Sequence, residues 1–147
     1  MMKKLSAGLV LTAGEKFLGC HSTGNWFYDL PKGEVGPDED PKETCIREAK
    51  EETDLDLSEH DLIDIGVFDY NPKKNLHLFL AKVEEFPPVD AMSCSSCFIH
   101  PYSKKETMEV DGYNYISFSE KEKFLTKNMA KVLDKVEQIV INKKSGD

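Results

Sequence analysis

Three glutamates, Glu48, Glu51 and Glu52, stand one helical turn apart in the run REAKEET, directly after Arg47. On a helical wheel at about 100° per residue, setting Glu48 to zero puts Glu52 near ~40° and Glu51 near ~300°, so the three carboxylates share one arc. Like charges one turn apart destabilise a helix by a few tenths of a kcal/mol per pair, and such a face calls for a compensating cation. Arg47 supplies part of that charge, and its planar fork can hold carboxylates in place. The remainder suits a hard divalent ion, Mg²⁺ or Mn²⁺, which prefers oxygen ligands and bridges protein carboxylates to substrate phosphates. The same residues also suit a solvated acidic face balanced by Lys42 and Lys50, the usual fate of a charge run.

The residues upstream favour the first reading. Gly33, five residues, Glu39, seven residues, then Arg47-Glu48, Ala49, Glu51-Glu52 and Leu55 resemble the Nudix box, Gly-x5-Glu-x7-Arg-Glu-U-x-Glu-Glu-x-Gly-U with U aliphatic. Asp54 stands where the box has its second glycine; Asp tolerates the left-handed turn that this position needs better than most residues. The likeness runs beyond the box. KLSAGLVLTAGEKFLGCH supplies the preceding strand pair, YDLPKG leads into the loop with Tyr28 where Trp is common, and EVDGYNYISF carries Glu109 ahead of Tyr113 and Tyr115.

The resemblance implies a Nudix α/β/α sandwich with a mixed sheet, and hydrolysis of a phosphoanhydride in a nucleoside diphosphate linked to another moiety. It implies Mg²⁺ or Mn²⁺ held by Glu48, Glu51 and Glu52, with Gly33 and Glu39 completing or orienting the metal-binding loop. Arg47 joins the catalytic set, and the proton acceptor is Glu48 or Glu109. Lys32 either touches phosphate or is a solvated loop lysine, while Tyr28 and Tyr113 are candidates for holding the nucleotide. Among family activities, a dinucleoside polyphosphate or ADP-sugar is the first expectation. A sanitising (d)NTP pyrophosphohydrolase and a non-catalytic nucleotide-binding sensor are the alternatives, the sensor disfavoured because every box glutamate is present. The resemblance also allows a homodimer.

These side chains need elements to position them. Asp40 fits an N-cap, Pro41 the first helical position, and Glu43 the third residue of a capping box, predicting a helix over 41–54. Strand-like runs at 5–12, 16–21, 61–70, 74–83 and 112–118 are rich in branched and aromatic residues and close on Gly, Pro, Asn or Asp. A second helix is predicted at about 119–142, where apolar residues keep helical spacing. Residues 87–106 follow neither period and read as a long loop. The whole chain, 1–147, reads as one domain.

A charge of −8 argues against a nucleic-acid partner, whose affinity rests on basic groups facing phosphates. The apolar run near the N-terminus is short for a signal peptide and suits a buried first strand. No stretch approaches the roughly 18 apolar residues that span a bilayer, so no membrane partner and a cytoplasmic location are expected. Trp26, Tyr28, Phe68, Tyr70, Phe79, Tyr113 and Tyr115 are the aromatic candidates for stacking a base, most of them expected to be core. Cys94, Cys97 and His100 are spaced suggestively for zinc, but a structural site needs four ligands and no second pair exists. Reduced thiols are the default expectation.

Overall fold

The computed structural model describes residues 3–99 and 102–145. A seven-stranded sheet is built from β1 (Lys4–Ala13), β2 (Lys16–Ser22), β3 (Tyr28–Asp29), β4 (Lys32–Glu34), β5 (Ile63–Asn71), β6 (Lys74–Lys82) and β9 (Val110–Ser117). A separate hairpin pairs β7 (Cys97–Ile99) with β8 (Glu106–Met108). The helices are α1 (Pro41–Thr53), a single turn α2 (Lys121–Phe124) and α3 (Lys127–Ser145).

β1 is the axis of the sheet. Its central residues 6–12 are all buried, as expected of a strand covered on both faces. It runs parallel to β6, from Lys4 opposite Lys74 to Thr12 opposite Lys82. On its other side it is shared between two partners: the tight turn at Gly14, φ 62°, returns the chain so that Thr12 faces Phe17, while Ser6 to Gly8 pair with Glu34 to Lys32 of β4. β9 closes the β2 side as an antiparallel strand, so the sheet is mixed.

Alternate side chains of β1 and β6 fill two cores. Val10, Leu76, Leu78 and Leu80 pack with Met129, Val132, Leu133 and Val136 of α3. Ala7, Leu9, Leu11 and Phe79 pack with Cys45 and Ala49 of α1. Each large aliphatic side chain so buried contributes about 1.5–3 kcal/mol, and the result is the expected α/β/α layering. Among the described residues no helix is long and apolar enough to cross a membrane.

α1 begins as its sequence indicates. The Asp40 carboxylate accepts from the amides of Lys42 (2.8 Å) and Glu43 (3.2 Å), and Pro41 occupies the first turn. Its end is set by Asp54, which adopts φ 63° and donates its amide to the Lys50 carbonyl at 2.9 Å.

Two expectations change. The helix predicted over 119–142 is broken at Leu125, whose extended backbone places its side chain in the core, and the chain restarts at Lys127. Thr126 starts α3 by accepting from the Met129 amide at its Oγ1 and from the Ala130 amide at its carbonyl. The segment 87–106 also contains structure: the short strand β7 and, at its far end, the start of β8, both too brief for a period to show.

Candidate metal and substrate site

α1 turns Thr44, Cys45, Glu48, Ala49, Glu52 and Thr53 inward. Two of those six are acids, and only 8% of Glu48 and 6% of Glu52 is exposed. Their carboxyl groups lie within hydrogen-bonding reach of each other. Burial, reinforced by the neighbouring Glu48, raises the pKa of Glu52 to about 9. Burial and the charge of Glu51 likewise raise Glu48. Two buried carboxyls beside each other repel when both are ionised, and a metal ion between them would relieve that repulsion. Glu52 is fixed further by the Lys32 amide, which donates to its Oε2 at 3.0 Å.

Arg47 organises the remaining acids. Its Nε and Nη2 donate to the two oxygens of Glu39 at 2.8 and 2.9 Å, a bidentate fork, and its Nη1 reaches Glu48 at 2.6 Å and Glu51 at 3.3 Å. Glu39 also accepts from the Gly36 amide (3.1 Å) and the Thr44 hydroxyl (2.6 Å). Hydrogen bonds from Arg47 and then Thr44 hold the Glu39 pKa down to about 2. Glu39 is therefore a permanently charged loop anchor. Of the three glutamates expected on one arc, Glu48 and Glu52 come together on the sheet side. Glu51 is more exposed and tied to Arg47.

Gly33 explains how the pair approaches the sheet. β4 places it opposite Ala7, and a Cβ there would lie 2.1 Å from the Glu48 carboxyl carbon. Only a residue without a side chain leaves Glu48 its place.

Beside Glu52 opens a cleft of about 260 Å³ whose walls include Glu52, Glu109, Asp29, Lys32, Thr23 and Cys20. Glu109 lies between β8 and β9 and faces the cleft from outside the helix. Its charge adds to the upward shift of Glu52. The Lys32 ammonium is 3.2 Å from Asp29 and 5.7 Å above the Tyr70 ring. Burial pulls its pKa down, but Asp29 and Tyr70 outweigh that and leave it raised. Lys32 thus meets the acid pair through its amide, while its charge is neutralised by Asp29.

The two tyrosines expected at the nucleotide both make contacts within the protein. Tyr28 pairs with His21, packs edge-on against it and against Phe124, and joins the α3-side core, the opposite face from Glu48. Tyr113 packs on the α1 side, but its hydroxyl donates to the Glu52 carbonyl at 2.5 Å. Phe68 and Phe79 are core, and Tyr115 stacks on Phe86 and donates to the Pro87 carbonyl.

Residues that sequence reasoning passed over complete the site. The Ser95 amide and hydroxyl both donate to the Glu51 carbonyl (2.7 and 3.2 Å), and the Ser93 amide donates to the Thr53 carbonyl at 3.3 Å. Thr23 on the β2–β3 turn donates its amide to the Glu109 carbonyl at 3.1 Å. No sequence signal marks these, since the contacts join distant segments. The four cysteines are free thiols, with Cys20 and Cys45 buried, Cys94 half-buried and Cys97 exposed. His100, the third member of the suggested zinc trio, lies outside the described residues.

The donor set, all carboxylate oxygens, fits a hard divalent cation. Among the described residues no three His, Cys, Asp or Glu side chains are gathered closely enough to hold a metal ion, and Arg47 engages Glu39, Glu48 and Glu51.

The family model described as NUDIX domain matches residues 2–136. In sequence the chain is similar to an uncharacterised 17.7 kDa protein of the e-segB intergenic region of Enterobacteria phage T4. The two are 33% identical over 111 residues, 69% of this chain and 71% of the phage protein. In structure it is similar to an Ap4A hydrolase from C. elegans, seen in a binary complex, with TM-score 0.67 and 21% identity over 93% of this chain and 98% of that one. It is also similar to a MutT/nudix family protein from Enterococcus faecalis, with TM-score 0.60 and 19% identity over 80% of this chain, which spans 44% of that larger protein. At these identities the structural likeness speaks for the fold.

Proposed function

The chain belongs to the Nudix family, and from that premise we propose that it hydrolyses a phosphoanhydride in a nucleoside diphosphate linked to a second moiety, a dinucleoside polyphosphate or ADP-sugar. One observation carries this reading: the buried Glu48 and Glu52 carboxyls are neighbours beside a cleft lined by both Glu52 and Glu109.

Glu48 and Glu52, joined by Glu51 when Arg47 yields it, are the residues that would hold Mg²⁺ or Mn²⁺. When bound, that ion neutralises the diphosphate and acidifies the attacking water. The protein's own groups do the rest. Arg47 keeps Glu48 in place while Glu39 pins Arg47. Gly33 admits the Glu48 carboxylate to the sheet edge. Glu109, exposed on the cleft wall, accepts the proton of the attacking water, a role that Glu48 is less free to take while it is bonded to Arg47.

The test is a panel of dinucleoside polyphosphates, ADP-sugars and nucleoside triphosphates incubated with purified protein and Mg²⁺ or Mn²⁺, products separated by chromatography. Metal-dependent release of two nucleotide products from a dinucleotide is the expected result. Turnover of no member with either metal sinks the proposal, and a fully active Glu52→Gln variant sinks the assignment of the acid pair.

A further inference from the structure

The ladder between β2 and β9 is irregular at one point, and that point falls beside the cleft. From Lys16 opposite Ser117 to His21 opposite Gly112 the strands pair residue for residue, but the next step on β2, Ser22, meets Val110. Asp111 is thus the extra residue of a β-bulge. Alternation along β2 sends Cys20 and Ser22 to the cleft and His21 to the opposite face, where its ring packs edge-on against Tyr28 with centroids 5.0 Å apart. The Asp111 carboxylate goes to that face too and accepts from His21 Nδ1 at 2.5 Å.

Two features of the cleft depend on the extra residue. In an unbulged ladder Asp111 would stand opposite Ser22, on a lining that already carries Glu52, Asp29 and Glu109, and like charges gathered there repel. Val110 would then face Thr23, and Glu109 would face Gly24, displaced by about 3.3 Å along the strand. With the bulge, Val110 takes the place opposite Ser22, and Glu109 draws level with Thr23, whose amide donates to its carbonyl at 3.1 Å. A register slips where nothing pins it, and a bulged residue has no ladder partner of its own. His21 supplies the pin from a fixed frame, since Tyr28 is itself packed edge-on against Phe124.

We propose that His21 and Asp111 are positioning residues for Glu109: their hydrogen bond locks the bulge that keeps the Asp111 carboxylate off the cleft and sets Glu109 level with Thr23. Neither residue belongs to the cleft lining, so the pair reaches the reaction only through the backbone of β9. The inference rests on Glu109 as the proton acceptor of the proposed hydrolysis and adds what places it there.

The test joins kinetics on the best substrate of the panel with amide hydrogen exchange read by NMR, on the full chain, for wild type, Asp111→Ala, Asp111→Asn and His21→Phe. Asp111→Ala and His21→Phe each remove the hydrogen bond, the latter while keeping a ring against Tyr28. Both are expected to lower kcat on the order of 10²-fold, as a misplaced catalytic group does, with KM little changed. Both also speed exchange of the Thr23 amide by about tenfold or more, because its bond to Glu109 opens. Asp111→Asn keeps an acceptor for the imidazole and stays close to wild type in both readouts. In a Glu109→Gln background Asp111→Ala takes nothing further from kcat, whereas a general loosening of the fold would multiply the losses. An Asp111→Ala enzyme as active as wild type overturns the inference, as do multiplying losses or a Thr23 amide that exchanges as slowly as in wild type. If Asp111→Ala does not fold, His21→Phe is read on the same three measures. A wild type that hydrolyses no nucleotide removes the hydrolase reading alone; exchange at Thr23 then decides whether the pair holds Glu109.

Discussion

Replacing Gly33 by alanine should disable the site while sparing the fold. The added Cβ falls 2.1 Å from the Glu48 carboxyl carbon and 2.3 and 2.5 Å from its oxygens, where ordinary contact begins at 3.4 Å. Gly33 sits in β4 and is not among the positive-φ glycines, so alanine suits the backbone, and the side chain that must yield is Glu48. It has to retreat by roughly an ångström, which parts it from Arg47, now 2.6 Å away, and from Glu52. Misplacing a catalytic group by about 1 Å costs on the order of 10²-fold in rate, or about 2.7 kcal/mol of transition-state stabilisation. Stability should change little, since alanine in a strand gains roughly 0.5–1 kcal/mol over glycine, offsetting strain in a flexible glutamate. The assay is kcat on the best substrate of the panel with Mg²⁺, alongside Mn²⁺ affinity and a urea denaturation curve. A Glu48→Gln background supplies the control: if alanine acts through Glu48, adding it there lowers kcat no further. A Gly33→Ala enzyme within about threefold of wild type, or losses that multiply in the double variant, would show that Gly33 does not act by making room for Glu48.

Three further outcomes follow from the geometry. A carboxyl whose pKa is higher in the folded chain keeps a proton that the unfolded chain has released, so between the ordinary value of 4.5 and about 9 for Glu52 stability falls as pH rises; without divalent ions the thermal midpoint should drop across that window, and either Glu52→Gln or millimolar Mg²⁺ should flatten the slope. Tyr113→Phe removes the hydroxyl from the Glu52 carbonyl and should lower stability by about 1 kcal/mol in urea titration, with KM unchanged; a large rise in KM with full stability would mean that the ring holds substrate instead. Asp54→Gly relieves a left-handed residue at φ 63° and loses only a half-exposed bridge to Lys50, so it should raise the urea midpoint by up to about 1 kcal/mol in free energy.

The acid helix was legible because everything that defines it is local: the Asp40 cap, Pro41, the turn at Asp54 and the phase of the glutamates. The division of labour among those acids was less so. A wheel places Glu48, Glu51 and Glu52 on one arc, but which two bury depends on where β4 lies, and which one Arg47 holds depends on the fork it makes with Glu39. The side of the sheet that Tyr28 takes was hidden for a similar reason. A strand aromatic faces whichever side its register dictates, and the pairing of Tyr28 with His21 turns it to α3. The break at Leu125 is hidden because apolar spacing continues on both sides of it. Thr126 carried the cap signal, and a cap inside an otherwise regular pattern is easily read through.

The segment least readable in sequence solves a problem that the helix creates. A helix ends with four carbonyls lacking intrahelical partners, and in α1 those groups lie directly behind the acids. Asp54 takes the Lys50 carbonyl, Ser95 that of Glu51, the Tyr113 hydroxyl that of Glu52 and Ser93 that of Thr53. Two of the four partners come from the 93–96 stretch, and the Ser96 carbonyl next to them accepts the Glu109 amide at 2.9 Å. A continuous run of hydrogen bonds therefore joins the backbone beneath Glu51 and Thr53 to the backbone of Glu109, and Thr23 extends it to the β2–β3 turn. Two parts of the cleft lining, Glu52 on α1 and Glu109, are thus tied to the same short stretch. Flexible loops would leave the spacing between Glu52 and Glu109 free to drift; this one sets it, and length changes should be tolerated in the β7–β8 hairpin that projects beyond the stretch rather than within it.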